Sequence, residues 1–176
     1  MVGGSIPFGR ANISFSIMAK KDRHTATEGG ILIVANNKKA FHDYEILSKY
    51  EAGISLHGSE VKSIREGNIN LKDTYVKIFG GEVFLVGSHI SPYSHSREEE
   101  HETTRDRKLL LHRGEIEKMF SATQLKGLTL VPLKIYFKHR RCKVEIGLGR
   151  GKKLHDKRED LKKKEAVREM ERGIRR

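Results

Sequence analysis

Residues 131–149, VPLKIYFKHRRCKVEIGLG, alternate between apolar and polar side chains more regularly than any other part of the sequence. The apolar positions of this segment are Val131, Leu133, Ile135, Phe137, Cys142, Val144, Ile146 and Leu148. A period of two residues predicts half-buried β-strands, and the polar residues 139–141 predict a turn that joins them as an antiparallel hairpin. Pro132 lacks a backbone N–H, so we expect the first of these strands to begin at a sheet edge.

The same period recurs earlier in the chain. Residues 44–57 alternate over most of their length, and Gly53 among them predicts a bend or bulge. Residues 74–86 also alternate, on both sides of Gly80-Gly81, and a Gly-Gly pair supplies the positive φ angles that a two-residue turn requires. These segments therefore predict a further strand and a second hairpin.

Two short helices separate the predicted strands. Residues 58–66 have helical spacing, with Ser59 as the expected N-cap and Gly67 beyond the end. Residues 115–126 predict a second helix that Gly127 terminates. The pattern predicts a mainly β fold with flanking helices, and the closed β-barrel of the oligonucleotide-binding type is the nearest simple model.

The composition predicts one domain with unstructured ends. We expect residues 1–30 to form a disordered N-terminal extension, residues 31–151 the barrel, and residues 152–176 a basic tail. The tail holds eleven Lys or Arg and six Asp or Glu, with few apolar side chains, so it is expected to be disordered when free and helical when docked on an anionic partner. Residues 97–108 are predicted to be an exposed loop, and the alternate glycines at 147–151 a flexible exit from the barrel.

Charge and cysteine content limit the function classes. The chain has 35 Lys and Arg against 23 Asp and Glu, a net charge of +12, and a pI near 9.8. Such a basic domain favours a nucleic-acid partner, with an anionic membrane surface as the weaker alternative. The single Cys142 excludes a disulfide framework and suits a reducing, cytoplasmic environment. Its place on the apolar side of a strand predicts a packed, unreactive thiol.

The sequence contains no pattern typical of an enzyme. It has no GxSxG, Walker or HExxH motif, and the even spacing of His89, His95 and His101 matches no zinc-ligand arrangement. We therefore expect a protein without catalytic residues, metal or cofactor. Salt-sensitive RNA binding through phosphate neutralisation is the function that the charge favours, although an ordinary solvated surface explains any single lysine equally well.

Seven collinear blocks between about residues 32 and 165 have the character of a known family. They are 37–44 NKKAFHDY, 50–54 YEAGI, 58–65 GSEVKSIR, 70–76 NLKDTYV, 89–93 HISPY, 107–112 RKLLLH and 151–158 GKKLHDKR. In these blocks the chain closely resembles the SsrA-binding proteins, the small protein B (SmpB) family. It departs from the family where Glu102-Thr103-Thr104 replaces an Asp-Pro pair, and Asp106 a Thr, before the RKLLL run.

The resemblance implies a function that the pattern alone does not reach. Members of the family have an oligonucleotide-binding-type barrel, bind the tRNA-like domain of transfer-messenger RNA and enter stalled ribosomes with it. Trans-translation there tags the incomplete peptide and releases the ribosome, and the family is not enzymatic. The resemblance therefore implies a cytoplasmic adaptor with transfer-messenger RNA and the ribosome as partners, one monomer per RNA, and no membrane.

The resemblance also assigns site residues. The family's RNA-binding positions fall on Asn37, Glu51 and Leu110. The neighbouring candidates in the same blocks are Lys38, Lys39, His42, Lys62, Arg65, Arg107 and Lys108. The family's ribosome-engaging segment falls on Lys152, Lys153, His155, Asp156, Lys157 and Arg158. The alternation places Glu51 on the polar face of its strand, whereas core packing would otherwise be the favoured role of Leu110.

Two other classes of protein remain as alternatives. Ribosomal structural proteins are also small, basic and tailed, and an RNA-processing enzyme would need acid–base groups or a metal cluster. The RNA that the protein retains at moderate salt separates the first alternative from the adaptor, because only the adaptor enriches one tRNA-like RNA.

Overall fold

A computed structural model of the chain describes residues 30–93 and 102–153, together with residues 169, 170 and 172. All but the last residue of the predicted N-terminal extension lies outside the described residues, as does most of the predicted tail. Within that tail, Glu169, Met170 and Arg172 have helical backbone and exposed side chains.

The described elements are mostly strands. In chain order they are β1 (Ile31–Asn36), α1 (Lys38–Asp43), β2 (Tyr44–Ile54), α2 (Gly58–Arg65), β3 (Ile69–Asn70), β4 (Tyr75–Phe79), β5 (Glu82–Val86), β6 (His89–Ile90), β7 (Arg107–Leu110), α3 (Arg113–Lys126), β8 (Thr129–Lys138) and β9 (Arg141–Gly151). Seven strands form one antiparallel sheet in the order β1-β8-β9-β2-β7-β5-β4, and β3 pairs with β6 in a small second sheet. The predicted mainly β class with flanking helices is confirmed.

The seven-stranded sheet is curved rather than closed. Its edge strands are β1 and β4, and among residues 30–93 and 102–153 no ladder joins them. Strand β4 nevertheless contacts β8, five strands away in the sheet order, which requires the sheet to bend back on itself. The described strands therefore do not show the predicted closed barrel, although the sheet curves in the direction that closure would require.

The core lies on the concave side of this sheet, where the alternating apolar side chains meet. The hairpin of β8 and β9 contributes Ile135, Val144 and Ile146, which are completely buried, as the period of two predicts. The prediction that this strand begins at an edge is confirmed locally: β8 as a whole lies between β1 and β9, but the β1 ladder ends at Lys134, so Pro132 has a ladder partner only in β9. The strand tolerates the proline at an irregularity: its register with β9 shifts between Pro132 and Lys134.

Several elements differ from the sequence interpretation, among them the short strands β3 and β6, which were not predicted. Strand β1 and helix α1 lie where no element was predicted, and β7 occupies the end of the predicted loop 97–108, whose residues 94–101 are outside the described part. Strand β1 contains the run ILIVA, which has no polar alternation. Strand β7 has only four residues, too few to show a period.

The predicted turns and helix ends are largely confirmed. Gly80 and Gly81 have φ angles of 59° and 76° in the β4–β5 turn, and Gly127 ends α3 with φ of 58°. The expected cap of α2 is wrong: His57, not Ser59, is the N-cap, and its backbone N–H donates to the Glu60 carboxylate over 2.7 Å. The helix therefore starts with a carboxylate at its positive end.

Gly147 and Gly149 belong to β9 and are not the predicted flexible exit. A Cβ atom at Gly147 would lie 3.0 Å from Leu133 Cδ2, and one at Gly149 would lie 3.0 Å from the backbone oxygen of Glu45. Neighbouring strands and side chains thus approach β9 so closely that a side chain at either position requires its neighbours to shift.

We predict that Gly149→Ala lowers the free energy of unfolding by about 1–3 kcal/mol, because the added methyl group must displace the β2 backbone. Gly114→Ala is the matched control, since a Cβ at Gly114 in α3 meets nothing within 4 Å. Urea denaturation of both variants measures the difference. Equal midpoints would contradict the close-packing explanation.

Candidate nucleic-acid interface

Glu51 is the centre of a charged cluster on the outer face of β2, β8 and β9. Its carboxylate accepts a hydrogen bond from Tyr136 Oη over 2.5 Å, and Lys138 Nζ lies 3.3 Å from the same oxygen. Lys143 Nζ lies 3.6 Å from the other oxygen. The Tyr136 hydrogen bond, with both lysines, holds the pKa of Glu51 below its ordinary value, so the carboxylate is charged at neutral pH.

This geometry specifies what Glu51 does chemically. Both of its oxygens have partners within the protein, and the two lysines give the cluster a net positive charge despite the carboxylate. The carboxylate therefore holds two ammonium groups in place on the surface, where they can contact phosphates. Burial, together with the hydrogen bond to Glu51, raises the pKa of Tyr136, which keeps its hydroxyl a donor.

Asn37 has a structural position at the start of α1. Its side-chain oxygen accepts from the Ala40 N–H over 3.1 Å, and its amide nitrogen lies 3.0 Å from the Pro132 carbonyl oxygen and 3.4 Å from that of Leu71. The side chain is the N-cap of α1 and ties this helix to β8 and to the segment before β4. Asn37 thus orients the two lysines that follow it.

Helix α1 and the end of β9 form one basic surface. Lys38 and Lys39 are exposed on α1, and Lys39 Nζ pairs with Asp73 over 2.8 Å. His42 Nδ1 lies 3.0 Å from the neighbouring Asp43 carboxylate.

Lys152 connects this surface to the root of the tail. Its backbone N–H donates to the Asp43 carbonyl over 2.9 Å, and its Nζ donates to the Phe41 carbonyl over 3.2 Å. Lys153 follows as an exposed residue. The structure thus brings together two sequence blocks that are more than a hundred residues apart. The remaining predicted tail residues, His155, Asp156, Lys157 and Arg158, lie outside the described residues.

Leu110 is on the surface, so the core-packing alternative for this residue is wrong. Its exposed fraction is 54%, whereas that of Leu109 beside it is 2%. Leu110 pairs with Gly53 of β2, and a Cβ at Gly53 would lie 3.3 Å from Leu110 Cβ. Lys108 points to the same outer face, and its side chain forms an ion pair with Glu82 of β5.

Arg107 does not fit the predicted role of an RNA contact, because its side chain is completely buried. Its Nε donates to Glu60 over 2.9 Å, and its Nη1 and Nη2 reach the carbonyl oxygens of Ser88 and Thr103 over 2.9 and 3.0 Å. A buried arginine requires such partners for all its donors. Arg107 therefore anchors β7 from the inside and leaves Lys108 and Leu110 facing out.

Lys62 and Arg65 are exposed on α2, and each lies beside an aromatic ring. Lys62 Nζ is 5.4 Å from the ring centre of Tyr93, and the Arg65 guanidinium is 5.5 Å from that of Phe137. Cation–π contacts of this length restrain the two long side chains, and both side chains keep their positive charge. Both belong to α2, whereas the Glu51 cluster lies on β2, β8 and β9.

Sequence reasoning missed the partners of Glu51. Tyr136, Lys138 and Lys143 lie at the polar positions of the alternating segment 131–149, the signal that could have found them. The sequence does not give the strand register, in which Glu51 is the cross-strand partner of Glu145 and Tyr136 that of Lys143.

The described residues contain no group of three His, Cys, Asp or Glu side chains that could hold a metal ion. Burial raises the pKa of the Cys142 thiol to about 12, so the thiol is protonated and unreactive, as the sequence predicts. No helix in the described part of the chain is long and apolar enough to cross a membrane.

The curved sheet and its basic, partly aromatic outer face define a small protein of the nucleic-acid-binding class. Residues 34–176 match the family model described as SmpB protein. The SsrA-binding protein of Carboxydothermus hydrogenoformans is 54% identical over 143 residues, which make up 81% of this chain and 96% of that protein. That of Syntrophotalea carbinolica is 56% identical over 146 residues, 83% of this chain and 97% of that protein. The chain therefore belongs to the SmpB family.

A solved structure gives the corresponding likeness in three dimensions. One chain of a structure described as "tmRNA-SmpB: a journey to the center of the bacterial ribosome" is 46% identical to this chain, with a TM-score of 0.58. The match covers 68% of this chain and 85% of the other. The resemblance inferred from the seven sequence blocks is thereby confirmed.

Proposed function

We propose that this protein is an RNA-binding adaptor that binds the tRNA-like domain of transfer-messenger RNA and delivers it to stalled ribosomes for trans-translation. Membership of the SmpB family supports this function. The observation that carries it is the placement of Glu51 and Leu110, the residues to which the resemblance assigns RNA binding, on the outer face of neighbouring strands. The protein acts without a cofactor and without catalysis, in the cytoplasm.

In this proposal two surfaces of the protein make the contacts with RNA and the ribosome. The first consists of Glu51, Lys138, Lys143, Lys108 and Leu110 and binds the tRNA-like domain. The second surface consists of α1 and the root of the tail. Lys38, Lys39 and His42, positioned by Asn37, add contacts to the same RNA, and Lys152 and Lys153 begin the segment that engages the ribosome. We further propose that Lys62 and Arg65 add phosphate contacts, that His155, Asp156, Lys157 and Arg158 engage the ribosome, and that the curved sheet is an oligonucleotide-binding-type barrel.

Sequencing the RNA that co-purifies with the full chain at moderate salt tests the function. Enrichment of one tRNA-like RNA is the expected result, because phosphate contacts alone lose affinity steeply as salt rises. Ribosomal RNA without such enrichment would instead favour a ribosomal structural protein.

We predict that Glu51→Ala weakens binding of the tRNA-like RNA by about 1–3 kcal/mol, the range for a lost charged hydrogen bond. The loss arises although a negative charge is removed, because Lys138 and Lys143 then lose the group that orients them. Gel-shift titration measures the affinity, and thermal melting checks the fold.

Glu117→Ala is the matched control, since Glu117 is an exposed carboxylate on α3 paired with Arg113 over 3.3 Å. It removes the same charge on α3, outside the three strands that carry the cluster, and is expected to leave affinity unchanged or slightly raised. If Glu51→Ala behaves like this control, Glu51 does not organise the interface.

A further inference from the structure

The outer face of β4, β5 and β7 exposes apolar and aromatic side chains that the core does not explain. Alternate residues of these strands, such as Val76, Val83 and Leu109, are buried. The opposite face, here called the aromatic face, consists of Tyr75, Lys77, Phe79, Glu82, Phe84, Val86, Lys108 and Leu110. Phe79 is 71% exposed and Tyr75 is 47% exposed, an unusual degree of exposure for the two rings that begin and end a strand.

Cationic side chains are interleaved with these rings. The strand register aligns Lys77 with Phe84 and Phe84 with Lys108, so a row of lysine, ring and lysine crosses three strands. Tyr75 and Phe79 flank Lys77 on its own strand, and Lys77 Nζ lies 5.6 Å from the centre of the Phe79 ring.

This arrangement has the chemistry that unpaired nucleotides require. Aromatic side chains stack on bases of any sequence, and lysines beside them neutralise the phosphates between the bases. Tyr75 and Phe79 are four residues apart, about 13 Å along an extended strand, so each ring can stack on a separate base. The net charge of +12 further favours an RNA as the occupant over a protein surface that has few acidic groups.

The aromatic face is continuous with the Glu51 cluster. Leu110 pairs with Gly53, and Gly53 pairs with Lys143, so one row leads from β7 across β2 to β9. Gly53 has no side chain to interrupt this surface. An RNA bound at Lys143 can therefore extend over Leu110 towards Phe79 without leaving the sheet.

We propose that the aromatic face binds unpaired nucleotides of the RNA held by the Glu51 cluster, with Tyr75 and Phe79 stacking on bases and Lys77 and Lys108 contacting phosphates. This inference rests on the proposed function for the identity of that RNA. The chemistry of the aromatic face is independent of the proposed function, and a short single-stranded RNA can test that chemistry alone.

The test is a fluorescence titration of the full chain with two RNAs, a transcript of the tRNA-like domain and an octauridylate. Phe79→Ala and Tyr75→Ala are each expected to weaken binding roughly 5- to 150-fold, the range for one lost base stack. Phe120→Ala is the matched control, because Phe120 is a 48% exposed ring on α3, away from this face.

Two replacements of Phe79 separate stacking from simple apolar contact. Phe79→Tyr keeps a ring and is expected to bind like the unchanged protein, whereas Phe79→Leu keeps bulk without a ring and is expected to lose affinity. Equal binding by the Leu and Tyr variants overturns the stacking assignment. Thermal melting of every variant confirms that the exposed substitutions leave the fold intact.

The outcomes distinguish this inference from the proposed function. If the unchanged protein binds the tRNA-like transcript no better than octauridylate, the proposed function fails and the octauridylate titration alone decides the role of the aromatic face. If Phe79→Ala and Tyr75→Ala bind both RNAs within twofold of the unchanged protein, the inference is overturned. Loss of ribosome co-sedimentation with unchanged RNA affinity also overturns it, because the face then contacts a ribosomal component.

Discussion

Glu60→Gln is expected to lower the free energy of unfolding by about 3–5 kcal/mol, the cost of breaking a buried ion pair from one side. Glu60 is completely buried and receives Arg105 Nη2 over 2.5 Å and Arg107 Nε over 2.9 Å. The glutamine has the same shape but no charge, so the equally buried Arg107 loses its counter-ion. A domain of this size has a total stability of roughly 5–15 kcal/mol, so the variant is expected to unfold at much lower urea concentration.

Glu82→Gln is the matched control for this prediction. Glu82 forms an ion pair with Lys108, but both side chains are about half exposed, so its loss should cost under about 1 kcal/mol. Urea unfolding followed by circular dichroism compares the two variants. If Glu60→Gln unfolds with the midpoint of Glu82→Gln, the buried pair does not stabilise β7.

The Glu60 network also makes stability depend on acid. Burial alone would raise the pKa of Glu60, but the hydrogen bonds from Arg105 and the His57 N–H and the charge of Arg107 outweigh it and lower the pKa. A carboxyl group with a lowered pKa in the native state contributes stability that is complete above its unfolded pKa of about 4.3. That stability is lost as the pH falls through the native pKa, and Glu60→Gln should remove this part of the acid dependence.

Truncation after Lys153 is expected to abolish peptide tagging on stalled ribosomes while leaving affinity for the tRNA-like RNA nearly unchanged. The truncated chain keeps every described strand and the bonds of Lys152 to the Asp43 and Phe41 carbonyls. It loses most of a tail with eleven basic residues and six acidic ones, whose attraction to ribosomal RNA is the reason for proposing a separate ribosomal role.

A tagging assay with a ribosome stalled on a truncated message measures one activity, and a gel shift with the tRNA-like RNA measures the other. Glu51→Ala in the full chain is the complementary control, because it should lower the affinity first and tagging only as a consequence. Full-rate tagging by the truncated protein would show that the tail only solubilises the chain.

The alternating segments were predictable because a strand with one buried face records its orientation in its own residues. Ile135, Val144 and Ile146 are buried as predicted, and the Gly80-Gly81 turn has the expected positive φ angles. Strand β1 was not predictable in the same way, because ILIVA has no polar positions that mark a face. The edge position expected from Pro132 holds for the start of β8, because the β1 ladder ends at Lys134 and leaves Pro132 paired with β9 alone.

The site was predictable only as a set of residues. The family blocks mark Glu51 and Leu110, and the period of two places Glu51 on the polar face, but nothing in the sequence distinguishes Arg107 from Lys108. Both are long cations at the end of a polar loop, and only the pairing of β7 with β5 sends one inside to Glu60 and the other out to Glu82. The RNA-contact role predicted for Arg107 therefore does not fit its position.

The sequence by itself determined the family, the basic charge, the positions of the main hairpins and the inert character of Cys142, since composition, period and local turn chemistry are properties of neighbouring residues. Only the tertiary structure decided which polar side chains act together. Glu51 meets Tyr136 and Lys138 more than eighty residues away, and Lys152 meets α1 more than a hundred residues away. Such partners depend on strand order and register, which arise when the apolar faces of all strands are buried against one another, and no local stretch of sequence contains that information.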